Sequence, residues 1–161
     1  HFTEAVFDDL KQKNIETARL ILNVGLGTFA PLREENFQTK KLHTEYAIIT
    51  ETTAEHINAT REKEQRIVAV GTTVARTLES FGSGRVLPGM HKTDIFIFPP
   101  YQFQKIDHLV TNFHLPETSL MLLVDAFLEH KGAKRDIMEL YRIAIENRFS
   151  FYSFGDSMLI L

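Results

Sequence analysis

The sequence predicts an α/β fold, a mixed β-sheet flanked by helices, and three observations carry that reading. Short apolar runs of strand length, such as 18–24 and 66–70, alternate with segments whose apolar residues recur at helical spacing. Glycine and proline punctuate the boundaries, at Gly25, Gly71 and Pro99-Pro100. Strands and helices interleave from end to end, the pattern of one α/β domain, and 161 residues are enough to bury a single core.

Taken in order, Thr3 precedes EAVFDDLKQK, where Val6 and Leu10 share a helical face and acids fill the first turn. Residues 18–24 (ARLILNV) read as a buried strand ending at Gly25-Leu26-Gly27-Thr28. Such a glycine pair permits a tight turn and close backbone approach to a ligand, so Gly25, Gly27 and Thr28 are candidate binding residues. Pro31 and the lack of a following helical pattern break the dinucleotide fingerprint, and a plain turn remains the competing account.

Lys40-Lys41-Leu42-His43-Thr44-Glu45-Tyr46 leads into AIIT as a strand, and alternation puts His43 and Glu45 on one face. An imidazole and a carboxylate there suit acid–base work or hydrogen bonds to a ribose or base; an exposed polar strand face explains them equally. The His-x-Glu pattern of zinc deaminases needs a downstream cysteine pair. The chain has no cysteine, which also removes disulfides and thiolate nucleophiles.

Thr52-Thr53-Ala54-Glu55 fits a capping box that opens a polar helix running to about residue 64. The strand at 66–70 follows, and Gly71-Thr72-Thr73 then opens the helix VARTLESF. Free N–H groups and hydroxyls at Thr72 and Thr73 suit a carboxylate or phosphate, although N-capping alone would also place threonines there. Residues 80–89 read as an exposed Gly/Pro-rich loop.

The rest of the chain is organised around 94–121. Two β-rich runs, 94–98 and 106–111, flank a Pro99-Pro100 break. The second run discharges into Thr111-Asn112-Phe113-His114-Leu115-Pro116, after which Thr118 or Ser119 caps an apolar helix. Open α/β sheets bind ligands where a buried strand ends in polar groups; a connection whose Asn and His cap backbone groups is the alternative. Leu120, Leu123, Val124 and Phe127 form a core stripe, as do Ile137, Leu140, Tyr141, Ala144 and Ile145 of a helix at 134–148. The tail SFYSFGDSMLIL ends in a strand after Gly155-Asp156.

A net charge of −3 argues against tight, purely electrostatic binding of nucleic acid, but not against a local basic patch. No apolar run approaches the length that spans a bilayer, and the first residues lack the pattern of a signal peptide. A cytoplasmic protein without membrane contact is expected.

The motif set goes further. HFTE at the start, NVGLGTFAPL (23–32), KLHTEY (41–46), AVGTTVARTLE (69–79), TDIFIFPPYQF (93–103), VTNFHLPETSLMLLV (110–124) and FYSFGDSMLI (151–160) stand in collinear order. Together they closely resemble the S-adenosylmethionine:tRNA ribosyltransferase-isomerases of queuosine biosynthesis. The resemblance implies a partial chain, because family members are longer, with HFT in mid-sequence and a small inserted β-barrel that is absent here. It implies transfer of the ribosyl portion of S-adenosylmethionine to 7-aminomethyl-7-deazaguanine in tRNA, giving epoxyqueuosine and releasing adenine and methionine. S-adenosylmethionine is then a co-substrate, tRNA the partner, and no metal is required.

For that chemistry His43, His114 and Asp156 are candidate bases, and Arg76 with the Thr72-Thr73 turn is suited to the methionine carboxylate. Gly25, Gly27, Thr28, Glu45, Gly71, Asp94, Thr111 and Asn112 complete the candidate binding set. His43, Thr72, Arg76, Asn112, His114 and Asp156 are expected to converge on one cleft at the strand ends, with Asn112 near the His114 ring. Lys40, Pro100 and Phe154 stand where the family usually carries His, Gly and Tyr, and Val74-Ala75 where it has Ser-Val. Lys40, Lys41, Lys92, Lys105 and Arg135 are candidate contacts to tRNA phosphates or, singly, solvated surface. A non-catalytic module that binds S-adenosylmethionine or a nucleoside is the alternative reading.

Overall fold

The computed structural model describes residues 2–25 and 31–161. Among them the order is α1 (Glu4–Gln12), β1 (Ile21–Asn23), α2 (Glu34–Thr39), β2 (Lys41–Ile49), α3 (Glu51–Glu62), β3 (Val68–Val70), α4 (Thr72–Glu79), β4 (Gly89–Ile95), β5 (His108–Asn112), α5 (Ser119–His130), α6 (Ile137–Glu146) and β6 (Ser157–Ile160). The α/β reading holds, and the strands divide into two sheets of three. β1-β2-β4 is antiparallel throughout; in β3-β5-β6, β3 runs parallel to β5 and β6 antiparallel to it.

Helix α4 joins the two sheets, contacting β1 and β4 of one, β3 and β5 of the other, and α5. Its buried residues include Ala75 and Leu78, which meet a core of Ala69, Leu109, Leu123, Val124 and Phe127. Leu109 sits between Ala69 and Ile160 in register, so one face of the β3-β5-β6 sheet fills that core. Phe103 packs edge-on against Phe127 at 4.8 Å between ring centroids, a preferred aromatic geometry.

Several boundaries differ from the sequence reading for local reasons. The cap of α3 is Thr50, whose side chain accepts the Thr53 N–H, rather than Thr52. Strand β4 lies earlier than 94–98, and 80–88 is less exposed than a Gly/Pro-rich loop suggests, because Val86 is buried. Asn58 holds that segment through both the N–H and the carbonyl of Val86. Helix α2 has no counterpart in the sequence reading, and Ile145, expected inward, is exposed.

Candidate functional site

The C-terminal ends of β3 and β5 lie side by side, since Val70 pairs with Val110 and the Gly71 N–H donates to the Val110 carbonyl at 2.8 Å. Gly71 has φ 96°, a conformation that glycine adopts without a Cβ penalty. This turn starts α4 with no side-chain cap, so the helix's positive end opens beside the strand ends with Thr72 and Thr73 in its first turn. Thr111, Asn112 and His114 stand next to it on β5 and its exit.

His114 is half-buried, and its Nε2 lies 2.9 Å from the Thr111 hydroxyl. Its backbone N–H donates to the Tyr141 hydroxyl at 2.7 Å. Burial pushes the imidazole down to about 4, so it is neutral at pH 7. The same cause, burial, pushes the Tyr141 phenol up. The ring's partner is therefore Thr111 and not Asn112, whose side chain instead donates to the Tyr152 carbonyl at 2.8 Å and accepts from the Ser157 hydroxyl at 3.1 Å. Asn112 thus fastens the 150–156 turn and β6 to the end of β5.

Asp156 closes that turn. Its carboxylate accepts the Ser150 N–H at 2.7 Å while its own N–H donates to the Ser150 carbonyl at 2.8 Å. Gly155 leaves no room for anything larger, because a Cβ there would lie 2.4 Å from the Ser150 oxygen. Asp156 is exposed and adjoins Ser157, the partner of Asn112, so Asp156 belongs to the same corner as His114.

The other candidates lie on the first sheet. Arg76, one turn into α4, is ion-paired with Glu45 of β2, and both side chains are buried. His43 and Glu45 do not share a face: the β2–β4 register shifts between Lys41 and Glu45, leaving His43 exposed and Glu45 buried. Asp94 pairs with Lys41 at 2.9 Å at the surface. Of the six residues expected to converge, Thr72, Asn112, His114 and Asp156 lie at the ends of β3 and β5 and on the turn fastened beside them, whereas Arg76 is turned to Glu45 of the first sheet. Among the described residues nothing brings His43 or Asp94 to that corner. Gly25 ends the described part of its segment, and Gly27 and Thr28 lie outside the described residues.

Tyr141 was legible as core but not as a support for His114. The signal was available, since a buried tyrosine hydroxyl usually finds a hydrogen-bond partner. Glu79 was missed altogether. Its fully buried carboxylate accepts the N–H groups of Gln104 at 2.9 Å, Lys105 at 2.8 Å and Ile106 at 3.2 Å, and the Tyr101 hydroxyl at 3.3 Å. Burial first, and then the Glu79 charge, hold the Tyr101 phenol well above its ordinary range. This clamp shapes the approach to β5.

A neutral imidazole, a hydroxyl, an amide and a helix N-terminus without a side-chain cap thus lie together at the carboxyl ends of two parallel strands, the place where open α/β sheets bind ligands. The family model described as "Queuosine biosynthesis protein" matches residues 1–160, and the chain belongs to that family. The S-adenosylmethionine:tRNA ribosyltransferase-isomerase of Caldanaerobacter subterraneus subsp. tengcongensis is 47% identical over 100% of this chain and 47% of its own length. The protein of that name from Rickettsia akari is 47% identical over 99% of this chain and 42% of its own. The crystal structure of S-adenosylmethionine tRNA ribosyltransferase from Thermotoga maritima superposes with a TM-score of 0.76 at 40% identity, covering 99% of this chain and 50% of that one. The chain thus spans about half the length of the relatives it matches.

Proposed function

We propose that this chain is part of an enzyme that moves the ribosyl portion of S-adenosylmethionine onto 7-aminomethyl-7-deazaguanine in tRNA, forming epoxyqueuosine and releasing adenine and methionine. The observation that carries this reading is a match along the whole chain, at 47% identity over 100% of it, to a relative named S-adenosylmethionine:tRNA ribosyltransferase-isomerase. S-adenosylmethionine is the co-substrate and tRNA the partner, in the cytoplasm. Among the described residues no helix is long and apolar enough to cross a membrane.

The sulfonium of S-adenosylmethionine acidifies the neighbouring carbon, and a base must take a proton from it. His114 is the best-supported candidate, because burial keeps it unprotonated at neutral pH and Thr111 fixes its ring. The same burial makes the imidazolium costly, so a proton taken there passes on promptly or is balanced by an anion in the bound complex. Asp156, in the same corner, is the second candidate for the proton. Arg76 is already neutralised by Glu45, which leaves the methionine carboxylate to the N-terminus of α4 with Thr72 and Thr73. The hydrogen-bonding side chain of Asn112 sets the position of the 150–156 turn on which Asp156 sits.

The test is adenine release from S-adenosylmethionine, followed by chromatography in the presence of tRNA carrying the deazaguanine. The full-length protein is expected to release adenine and to label the tRNA, and His114→Ala to lower turnover about 10²-fold, the scale of an acid–base group. The 161-residue chain alone is expected to be inactive, since it spans about half of its relatives. Saturable binding of S-adenosylmethionine by the full-length protein without adenine release would favour the non-catalytic module instead.

A further inference from the structure

A cavity of about 150 Å³ opens between the C-terminal half of α3, the 83–85 loop and Lys105. Lys105 lies just before β5, whereas Asn112 and His114 lie at its far end, so the cavity is at the opposite pole of the β3-β5-β6 sheet from the candidate site. Seven residues of near-extended chain separate the two, roughly 20 Å at the rise of a strand.

Three cations, Arg61, Arg85 and Lys105, and one carboxylate, Glu62, line this cavity in a chain whose net charge is −3. Arg85 meets Glu62 at the mouth with both side chains largely exposed, a pairing of little strength. Arg61 uses its terminal nitrogens on Asp107, at 3.0 Å, and on the Gln104 carbonyl, at 3.4 Å. Its Nε is buried with no partner among the described residues. Lys105 is only 7% exposed, and its ammonium donates to the Gly84 carbonyl. Burial, and then the charge of Arg61, disfavour its protonated form. Arg61 and Lys105 are thus held near each other at this open cavity. An anion entering here would relieve the repulsion between Arg61 and Lys105 and accept hydrogen bonds from their remaining terminal N–H groups. The volume, several times the roughly 30 Å³ that one water takes in the liquid, admits a tetrahedral oxyanion. Asn58, fully engaged with Val86, fixes the wall.

We propose that this cavity binds one backbone phosphate of an RNA. The proposal rests on the reading of tRNA as the partner. The separation from His114 favours a polynucleotide over a second small-molecule subsite, since only an extended ligand occupies both poles of the sheet. The exposed Arg85 at the mouth leaves entry open to a phosphate that stays attached to its chain.

The experiment uses the full-length protein and a fluorescein-labelled anticodon stem-loop RNA with ordinary guanine, so that no ribosyl transfer is involved. Affinity is read by anisotropy from 50 to 200 mM salt, the range in which phosphate contacts show as slope. Arg85→Gln and Lys105→Met are each expected to weaken binding several-fold and to lower the salt slope by about one. Arg85 is exposed, so its variant retains the fold and keeps the test decisive even where Lys105→Met lowers the melting temperature. Unchanged slopes in the Arg85 variant, or no RNA binding by the unmodified protein, overturn the proposal. Calorimetry with inorganic phosphate is the second arm: saturation that Arg85→Gln abolishes, alongside an unchanged RNA slope, assigns the cavity to a free anion and overturns the RNA assignment. Loss of slope together with absent adenine release would sink the ribosyl-transfer reading alone, and adenine release with unchanged slope would sink this site alone.

Discussion

Glu45 and Arg76 form an ion pair in which the side chains are 3% and 5% exposed, tying β2 of one sheet to the helix that follows β3 of the other. A pair so buried contributes little beyond a well-packed apolar substitute, but breaking it strands a charge. Glu45→Gln is therefore expected to destabilise the protein by about 3 kcal/mol in urea unfolding, and adding Arg76→Met to recover part of that loss. A loss below about 1 kcal/mol, the scale of an exposed pair, would show that solvent reaches the guanidinium and that the clamp is not what joins the sheets.

Glu79 and Tyr101 allow a graded comparison. The carboxylate organises three consecutive backbone N–H groups, whereas the Tyr101 hydroxyl adds one longer bond at 3.3 Å. Glu79→Gln turns one acceptor oxygen into a donor facing other donors, and is expected to cost about 3 kcal/mol as buried N–H groups lose their partner. Tyr101→Phe should cost about 1 kcal/mol or less. Equal losses in the two variants would mean that the hydroxyl, and not the backbone clamp, holds the 101–106 segment.

Gly155→Ala is a test of the turn that carries Asp156. A Cβ would meet the Ser150 oxygen at 2.4 Å and the Phe151 carbonyl carbon and oxygen at 2.5 Å, all backbone atoms that cannot swing aside. The turn must open, which should cost about 3 kcal/mol and release the Asn112 and Asp156 contacts. Faster amide exchange at Ser150 and Asp156 in the variant would report that opening; unchanged exchange would refute it.

What the sequence made legible was local, and what it hid was not. Strands β1 and β3 and the helices beginning at Thr72 and Ser119 follow from apolar runs, glycines and caps read within a few residues, although β1 and β3 are shorter than the runs at 18–24 and 66–70 and Ile21, Val68 and Val70 are exposed rather than buried. Helix α2, EENFQT, offers only Phe37 as an apolar residue, too few for a period to show. The register shift between Lys41 and Glu45 depends on β4, 44 or more residues away in sequence, so strand alternation put His43 on the wrong face. Lys105 read as surface because lysine usually is; its burial is set by the Glu79 clamp on the far side of two loops. Within the site, Thr111, Asn112 and His114 were visible as a polar strand end. Which of them would hold the imidazole was decided by Tyr141 and the 150–156 turn, and neither is near in sequence.

The pH dependence of stability follows from His114. Its folded-state pKa of about 4 lies below the ordinary 6.5, so between those values the unfolded chain binds the proton and the folded one does not. The stabilisation from keeping the ring neutral is complete above pH 6.5 and is lost as pH falls through about 4, on the order of 3 kcal/mol in all. Carboxylates titrate near the lower end of that window, so the measurement is a difference: urea unfolding of the protein and of His114→Gln from pH 7 to pH 4. The variant should start less stable and lose less on acidification, the two curves converging near pH 4. The turnover of the full-length enzyme supplies a second readout. With His114 as the base, the acid limb of kcat should fall below pH 5 rather than near 6.5, because the imidazole stays unprotonated until then. An acid limb near 6.5 that survives in His114→Gln would assign the proton to another group, and parallel stability curves would show that the ring is solvated in the folded protein.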